Sequence, residues 1–253
     1  MPNHVYQRLV IDAPNKETLD KLLEATKHEG EHYAGEFSAH AIIPMPECLI
    51  NTSSGSDESL TKAIIKHRAG DDSDIRHIMG YPWMKGDTPA EAVKYLMEQK
   101  DVTEQSIADL KKVMDETGYS SWYPWANANW GTKWGMYDVS IDRTDDESVT
   151  IYFQSAWSPP TPVIDRLSDM FPTVSMSHYY ADEGGGFAGV RTYDQGVCTE
   201  DNASYQEGSW DHYCEMAGAE YLCSYNNEDE EEEELAPIEG ASGFLNEMRG
   251  ESK

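Results

Sequence analysis

Apolar positions along the chain switch repeatedly between two-residue and helical spacing. From Val5 to Ile11, residues Val5, Gln7, Leu9 and Ile11 fall on one side of an extended segment and Tyr6, Arg8 and Val10 on the other, which predicts a strand. Asn15 then offers a side-chain cap to a helix whose Leu19, Leu22, Leu23 and Thr26 form one stripe, ending near Gly30. A second strand is predicted through Phe37 to Ile43, stopped by Pro44 and Pro46. The chain therefore begins β-α-β.

From Asn51 the pattern becomes a Ser/Gly/Asp-rich loop followed by helical segments, which reads as an insertion over about 51–120. Ser56 precedes Leu60, Ala63, Ile64 and His67 at helical spacing. Thr88-Pro89-Ala90-Glu91 combines a capping box with proline at the first helical position. Asp101 with Glu104 is placed to cap a third helix bearing Ile107, Leu110, Val113 and Met114, and Gly118 supplies its stop.

Strand alternation returns after an aromatic stretch, with Tyr137, Val139 and Ile141 against Asp138, Ser140 and Asp142, and continues in Val149, Ile151 and Phe153 across a turn at 143–147. Thr161-Pro162 opens a helix with Val163, Ile164, Leu167, Met170 and Phe171 on its apolar side, closed by Pro172. Val174, Met176, His178 and Tyr180 alternate with polar neighbours, and Gly184-Gly185-Gly186 turns the chain into a strand from Phe187 to about Tyr193. The predicted order is β-α-β, a helical insertion, then β-β-α-β-β. This gives an α+β domain over residues 1–195, an antiparallel sheet with helices on one face. Residues 196–253 form an acidic C-terminal extension, expected to be partly disordered, since its Glu228–Glu234 run is charged throughout and lacks apolar residues.

Charge alters this picture. The chain carries 47 acidic and 19 basic side chains, a net −28. The excess is spread along the sequence: −8 over residues 1–129, −12 over 130–227 and −8 over 228–253. Such a field repels phosphates and anionic membranes and attracts basic surfaces. It argues against direct nucleic-acid binding. Solubility alone is the competing reading of the same charge. No basic segment followed by an apolar core opens the chain, and no apolar run approaches the roughly 20 residues of a membrane span. With four cysteines in no paired pattern, a reducing, cytoplasmic location is expected.

Chemistry-bearing motifs are sparse. Cys198, His212, Cys214 and Cys223 are the one metal-like grouping, and their gaps fit no paired Cys-x-x-Cys site, so neither metal nor cofactor is expected. No G-x-S-x-G, P-loop, dinucleotide fingerprint or H-E-x-x-H occurs. The stretch with Trp122, Tyr123, Trp125, Trp130 and Trp134 reads either as a structural aromatic core or as a set of interface anchors.

Met1-Pro2-Asn3 with Tyr6 and Arg8-Leu9, the box Asn129-Trp130-Gly131-Thr132-Lys133-Trp134, Ala156-Trp157-Ser158-Pro159-Pro160, and Tyr179-Tyr180 through Phe187-Ala188-Gly189 together resemble the YubB-type ferredoxin-like family. The resemblance covers residues 1 to about 195. It implies a ferredoxin-like fold and a place on phage or plasmid elements of bacteria, and it transfers no catalytic residues.

The leading functional expectation is an interaction protein that inhibits a basic, nucleic-acid-acting host defence protein by presenting carboxylates where phosphates would sit. An enzyme of unassigned reaction type, or an accessory protein of the element's replication, are the alternatives. The expected partner-binding residues are Asp145, Asp146, Glu147, Asp182, Glu183, Asp194, Glu200 and Asp201, with Trp130 and Trp134 as anchors.

Overall fold

A computed structural model describes residues 3–99, 102–204 and 210–219. Its central strand is β1 (His4–Asp12), where strict alternation buries Val5, Gln7, Leu9 and Ile11 and leaves Tyr6, Arg8 and Val10 half-exposed on the opposite face. Helix α1 (Lys16–Ala25) starts where Asn15 Oδ1 accepts the Thr18 N–H at 2.9 Å, and it buries Leu19 and Leu22. The later strands are β2 (Tyr137–Arg143), β3 (Ser148–Ala156), β4 (Ser175–Asp182), β5 (Ala188–Asp194) and β6 (Val197–Ser204). They form one antiparallel sheet of order β2-β3-β1-β4-β5-β6.

That order is the ferredoxin-like one. β1 and β2 flank β3, β3 and β4 flank β1, and each flanking pair is joined through a helix, α1 for the first and α9 (Thr161–Met170) for the second. Leu19 and Leu22 of α1 and Val163, Ile164 and Leu167 of α9 pack with Leu9, Ile11, Val149, Ile151, Phe153 and Met176 in the principal core. A fully buried aliphatic side chain of this kind contributes roughly 1.5–3 kcal/mol.

The expected strand at Phe37 to Ile43 is not one. Ser38 Oγ accepts the His40 N–H at 3.2 Å, and Ala39–Ile42 closes a single helical turn, α2. Phe37, Ala39 and Ile42 are all buried, so a short apolar run was open to either reading. The sheet decides it, because both edges of β3 are already taken by β1 and β2. The second strand of the first β-α-β unit is β2, reached only after α3 (Glu47–Ile50), the four helices α4 (Ser56–Arg68), α5 (Ser73–Met79), α6 (Pro89–Gln99) and α7 (Glu104–Thr117), and α8 (Trp122–Asn129).

Helices α4–α7 have a small core of their own around Ile64, Ile75, Ala92, Leu96 and Ile107. Arg68 clamps α4 to α7 through two contacts to Glu104 at 2.7 and 2.6 Å. The capping box before α6 forms as its sequence suggests, with Thr88 and Glu91 bonding each other's backbone. The cap of α7 is Thr103, paired reciprocally with Ser106, in place of the expected Asp101, which lies outside the described residues. Gly118 ends that helix in the left-handed conformation, as expected.

Beyond residue 195 the sheet continues. Gln195 and Gly196, both at positive φ, form a tight hairpin into β6. Arg191 of β5 holds this corner together through Asp201 at 2.6 Å and Asp165 of α9 at 3.2 Å. Helix α10 (Trp210–Met216) then lies on the sheet face opposite α1 and α9, where Cys214, Ala217 and Ala219 pack on Ala181 and Ala188. Helices on one face alone therefore describe the two crossovers and not α10. Cys223 and Glu228–Glu234 lie outside the described residues.

A buried polar ladder crosses the three central strands on the helix side. Gln7 Nε2 donates to Ser155 Oγ on β3, and Gln7 Oε1 lies 2.6 Å from His178 Nε2 on β4. With the amide oxygen accepting, His178 Nε2 carries the proton. Its ring stacks on Phe153 at 6.0 Å, is fully buried, and its Nδ1 meets no donor among the described residues. Desolvation, reinforced by the charge of Arg191, lowers the imidazole pKa from 6.5 to about 3.

The unfolded chain therefore binds a proton that the folded chain refuses between those two values, so stability falls as pH drops below about 6.5. One pH unit there is worth about 1.4 kcal/mol. Urea denaturation at pH 7 and pH 5 should show the native protein losing about 2 kcal/mol more than His178→Gln, which keeps an amide donor for Gln7. Parallel losses in the two proteins would mean that His178 is protonated, or readily becomes so, in the fold.

Candidate interaction surface

The box Trp130-Gly131-Thr132-Lys133-Trp134 joins the end of α8 to β2, and its first three residues have identifiable structural work. Trp130 is 0% exposed, and its Nε1–H donates to the Ile43 carbonyl at 2.8 Å. Its ring meets Trp125 and Tyr33 edge-on, at 5.3 and 5.0 Å. Gly131 turns at φ +76°, where a Cβ would stand 2.6 Å from Pro162 Cδ, and its carbonyl accepts from Ser158 Oγ at 2.5 Å. Buried Thr132 donates to the Ala156 carbonyl at 2.8 Å and accepts the Ala156 N–H at 3.1 Å, extending β3 by a side-chain pairing. Trp134 is different. It is 40% exposed, with the Lys133 ammonium 4.7 Å from its ring centre.

Trp130 is thus a core residue and not a surface anchor, while Trp134 stands where a partner could reach it. The eight expected acids do not share one face. Asp145, Asp146 and Glu147 lie at the β2–β3 turn, beside the end of β1, whereas Asp182 and Glu183 lie beside its start. A strand of nine residues separates the two groups by roughly 30 Å. Asp145 Oδ1 accepts the Glu147 and Ser148 N–H groups, and Asp146 pairs with Lys16 at 3.1 Å. Asp182 is buried and accepts the Gly186 N–H at 3.0 Å, so it shapes the glycine turn and is not available at the surface. Glu183 accepts the His4 N–H at 2.7 Å. Asp201 is held by Arg191, and exposed Asp194 lies 3.3 Å from Ser175 Oγ, at the opposite end of β4 from Glu183. Glu200 is exposed on β6.

A second set of acids escaped the sequence reading. Glu29, Glu31 and Glu36 in the segment after α1, and Asp138 and Asp142 on β2, are exposed and have no ion-pair partner among the described residues. β2 is a free edge of the sheet, and its register slips between Tyr137 and Ser140 around Asp138 at φ +51°. Charge and a bulge on an edge strand oppose unwanted strand pairing.

Between this edge and residues 33–40 lies a groove of about 450 Å³, lined among others by Tyr33, Glu36, His40, Trp134, Tyr137 and Asp138. Tyr33, on the opposite wall from Asp138, also has positive φ, at +59°. Such a backbone costs a residue other than glycine roughly 1–2 kcal/mol. Tyr33 is held there by Ser38 Oγ donating to its carbonyl at 2.7 Å, by stacking on His40 at 5.6 Å, and by the edge contact to Trp130. Desolvation, with His28 4.5 Å away, lowers the His40 pKa and keeps that ring neutral at neutral pH. Burial, then the charges of Asp138 and Glu183, push Tyr137 up to about 12, so its hydroxyl stays protonated against His4 Nδ1 at 2.9 Å. The groove wall is therefore aromatic and neutral, with carboxylates as its charged members. Only the aromatic stretch gave a sequence signal for it, because the positive φ of Tyr33 has no glycine or asparagine to announce it.

Among the described residues no group of three or more His, Cys, Asp or Glu is arranged to hold a metal ion, and Cys198 is exposed while Cys214 is buried. Cys223 lies outside them. No helix among them is long and apolar enough to cross a membrane.

Residues 136–235 match a family model described as the ferredoxin-like domain in Api92-like protein. Protein YubB of Escherichia coli (strain K12) is 32% identical over 81 residues, 31% of this chain and 55% of its own length, so the match spans about half of that relative. A crystal structure of protein api92 from Yersinia pseudotuberculosis aligns over 82% of this chain and 99% of its own, with 14% identity and a TM-score of 0.37. Part of the chain is thus similar to the ferredoxin-like domain of Api92-like protein and to YubB. The matched segment starts at β2 and runs past residue 195, so the central strand β1 lies outside it.

The two tryptophans of the box should separate cleanly in urea denaturation. Trp130→Ala is expected to cost about 3–5 kcal/mol, by emptying a core site and orphaning the Ile43 carbonyl, whereas Trp134→Ala should cost under about 1 kcal/mol. Comparable losses for both would place Trp134 in the core as well.

Proposed function

We propose that this protein acts by binding a basic, nucleic-acid-acting protein, and that it is an inhibitor of host defence encoded on a mobile genetic element, its carboxylates taking positions that phosphates otherwise occupy. One observation carries the reading: among the described residues most of the positive charges are engaged within the fold while much of the negative charge is not. Lys16, Lys21, Lys27, Lys66, Arg68, Arg143 and Arg191 are all engaged by neighbouring carboxylates. Arg8, Lys85 and Lys133 lie over aromatic rings. The exposed acids of the 29–36 segment and of β2 then set the field that an approaching protein meets.

A field of this sign speeds encounter with a basic groove and is screened by salt. Because the acids named from sequence are divided between the two ends of the sheet, the β2 edge is the better match to a continuous binding strip. Asp138 and Asp142 lie four residues apart along it, about 13 Å in an extended strand.

The test is competition. A basic partner captured from a bacterial lysate and identified by mass spectrometry should be displaced by duplex DNA, and its association rate should fall at least tenfold between about 0.05 and 0.5 M salt. Asp138→Asn with Asp142→Asn should lower that rate, whereas Glu17→Gln, at a carboxylate already paired to Lys21, should not. A stable ternary complex with DNA still bound would sink the phosphate-replacement reading.

A further inference from the structure

We infer that the groove between residues 33–40 and the start of β2 is a receptor for one arginine side chain of a protein partner. The inference rests on the proposed binding of a basic protein and names the chemistry of the contact. Three properties of the groove point to it. Its volume of about 450 Å³ is within the range of small-ligand pockets and too small for a folded element. Its walls include Tyr33, Tyr137 and Trp134, flat rings on which a guanidinium stacks readily. Its charged members are Glu36 and Asp138, both exposed and both without an ion-pair partner among the described residues, one from each wall.

Neighbouring groups do not cancel this charge. His40 is kept neutral by desolvation and His28, and Tyr137 is kept protonated. Lys133 is the nearby cation, and it is drawn over the rings of Trp134 and Tyr123, at 4.7 and 5.6 Å. The chain thereby shows that the Trp134 ring accepts a cation. Two of the four non-glycine residues at positive φ among the described residues, Tyr33 and Asp138, line this groove, so part of each wall is held in a costly conformation. Arginine suits the site better than lysine, since its planar fork can pair with a carboxylate while its face rests on a ring.

Nuclear magnetic resonance can read the contact directly from tryptophan indole signals, with Trp134 assigned by its loss in Trp134→Phe. Titration with the blocked tripeptide acetyl-Gly-Arg-Gly-amide should move the Trp134 indole signal saturably, and the citrulline analogue, equal in shape but uncharged, should not. Glu36→Gln combined with Asp138→Asn should weaken binding at least tenfold; asparagine tolerates the positive φ of position 138, so the fold is kept. An equal response to citrulline, a silent Trp134 signal, or unchanged binding in the double variant overturns the inference. The two readings fail separately. A basic partner that DNA displaces and that binds the double variant normally removes the groove while leaving phosphate replacement standing, and saturable arginine binding without any DNA-competed partner does the reverse.

Discussion

The burial of Trp130 is the constraint on which this end of the molecule depends. Its indole N–H takes the Ile43 carbonyl, its faces receive Trp125 and Tyr33, and its chain neighbours pin β3 and α9 through Thr132 and Gly131. The residues between α1 and α3 form no strand, so they have no ladder to fix them. They are placed by Trp130 on one side and by short polar contacts on the other: Thr26 to the Glu36 carbonyl, Ser38 to the Tyr33 carbonyl, and the paired His28 and Gly35 backbones. Remove the indole and the wall of the groove loses its support, although no residue of the wall itself has changed.

The second organising force is electrostatic. A chain with net −28 resists compaction by self-repulsion, and the fold answers by spending its few cations close to carboxylates, as in the α1 pairs Lys16–Asp20 and Lys21–Glu17. Exposed i,i+4 pairs of this type add little to stability, because water and salt screen them. Their greater effect is on the field. Once the cations are committed, any stretch without one, such as 29–36 or the outer row of β2, is strongly negative by default. The buried ladder of Gln7, Ser155 and His178 belongs to a different regime, where water is absent and a charge cannot be tolerated, hence a histidine that stays neutral.

Most of the sheet was legible because it obeys simple alternation. β1, β3, β4 and β5, the caps at Asn15, Thr88 and Gly118, and the β2–β3 turn can be read from residue type alone, whereas the ferredoxin-like order came from the family resemblance. The errors have physical causes. Phe37 to Ile43 has apolar residues at both strand and helix spacing, and only the occupancy of the neighbouring sheet positions excludes a strand. β6 is rich in polar and acidic residues, and its strand character comes from pairing with β5 and not from its own pattern. The candidate site was harder still. Counting carboxylates in sequence gathered Asp145 and Asp182 into one imagined face, whereas antiparallel pairing sends them to opposite ends of β1. Acidity is visible in a sequence; which acids remain unpaired is a property of the fold.

An edge strand has to avoid pairing with other chains, and a binding site has to invite one. On β2 both demands are met by the same residues. Asp138 at positive φ breaks the regular register, and with Asp142 it charges the edge, so an ordinary neutral strand arriving there would bury carboxylates without compensation. An arginine arriving at the groove does the opposite, since it brings its own counter-charge and leaves the edge ladder unused. Repulsion of neutral strands and attraction of cations are then two consequences of one arrangement, and specificity comes from the difference between them. On this account the strain at Tyr33 and Asp138 is tolerated because relaxing either residue would take away the aromatic wall or return the edge to a regular, adhesive strand.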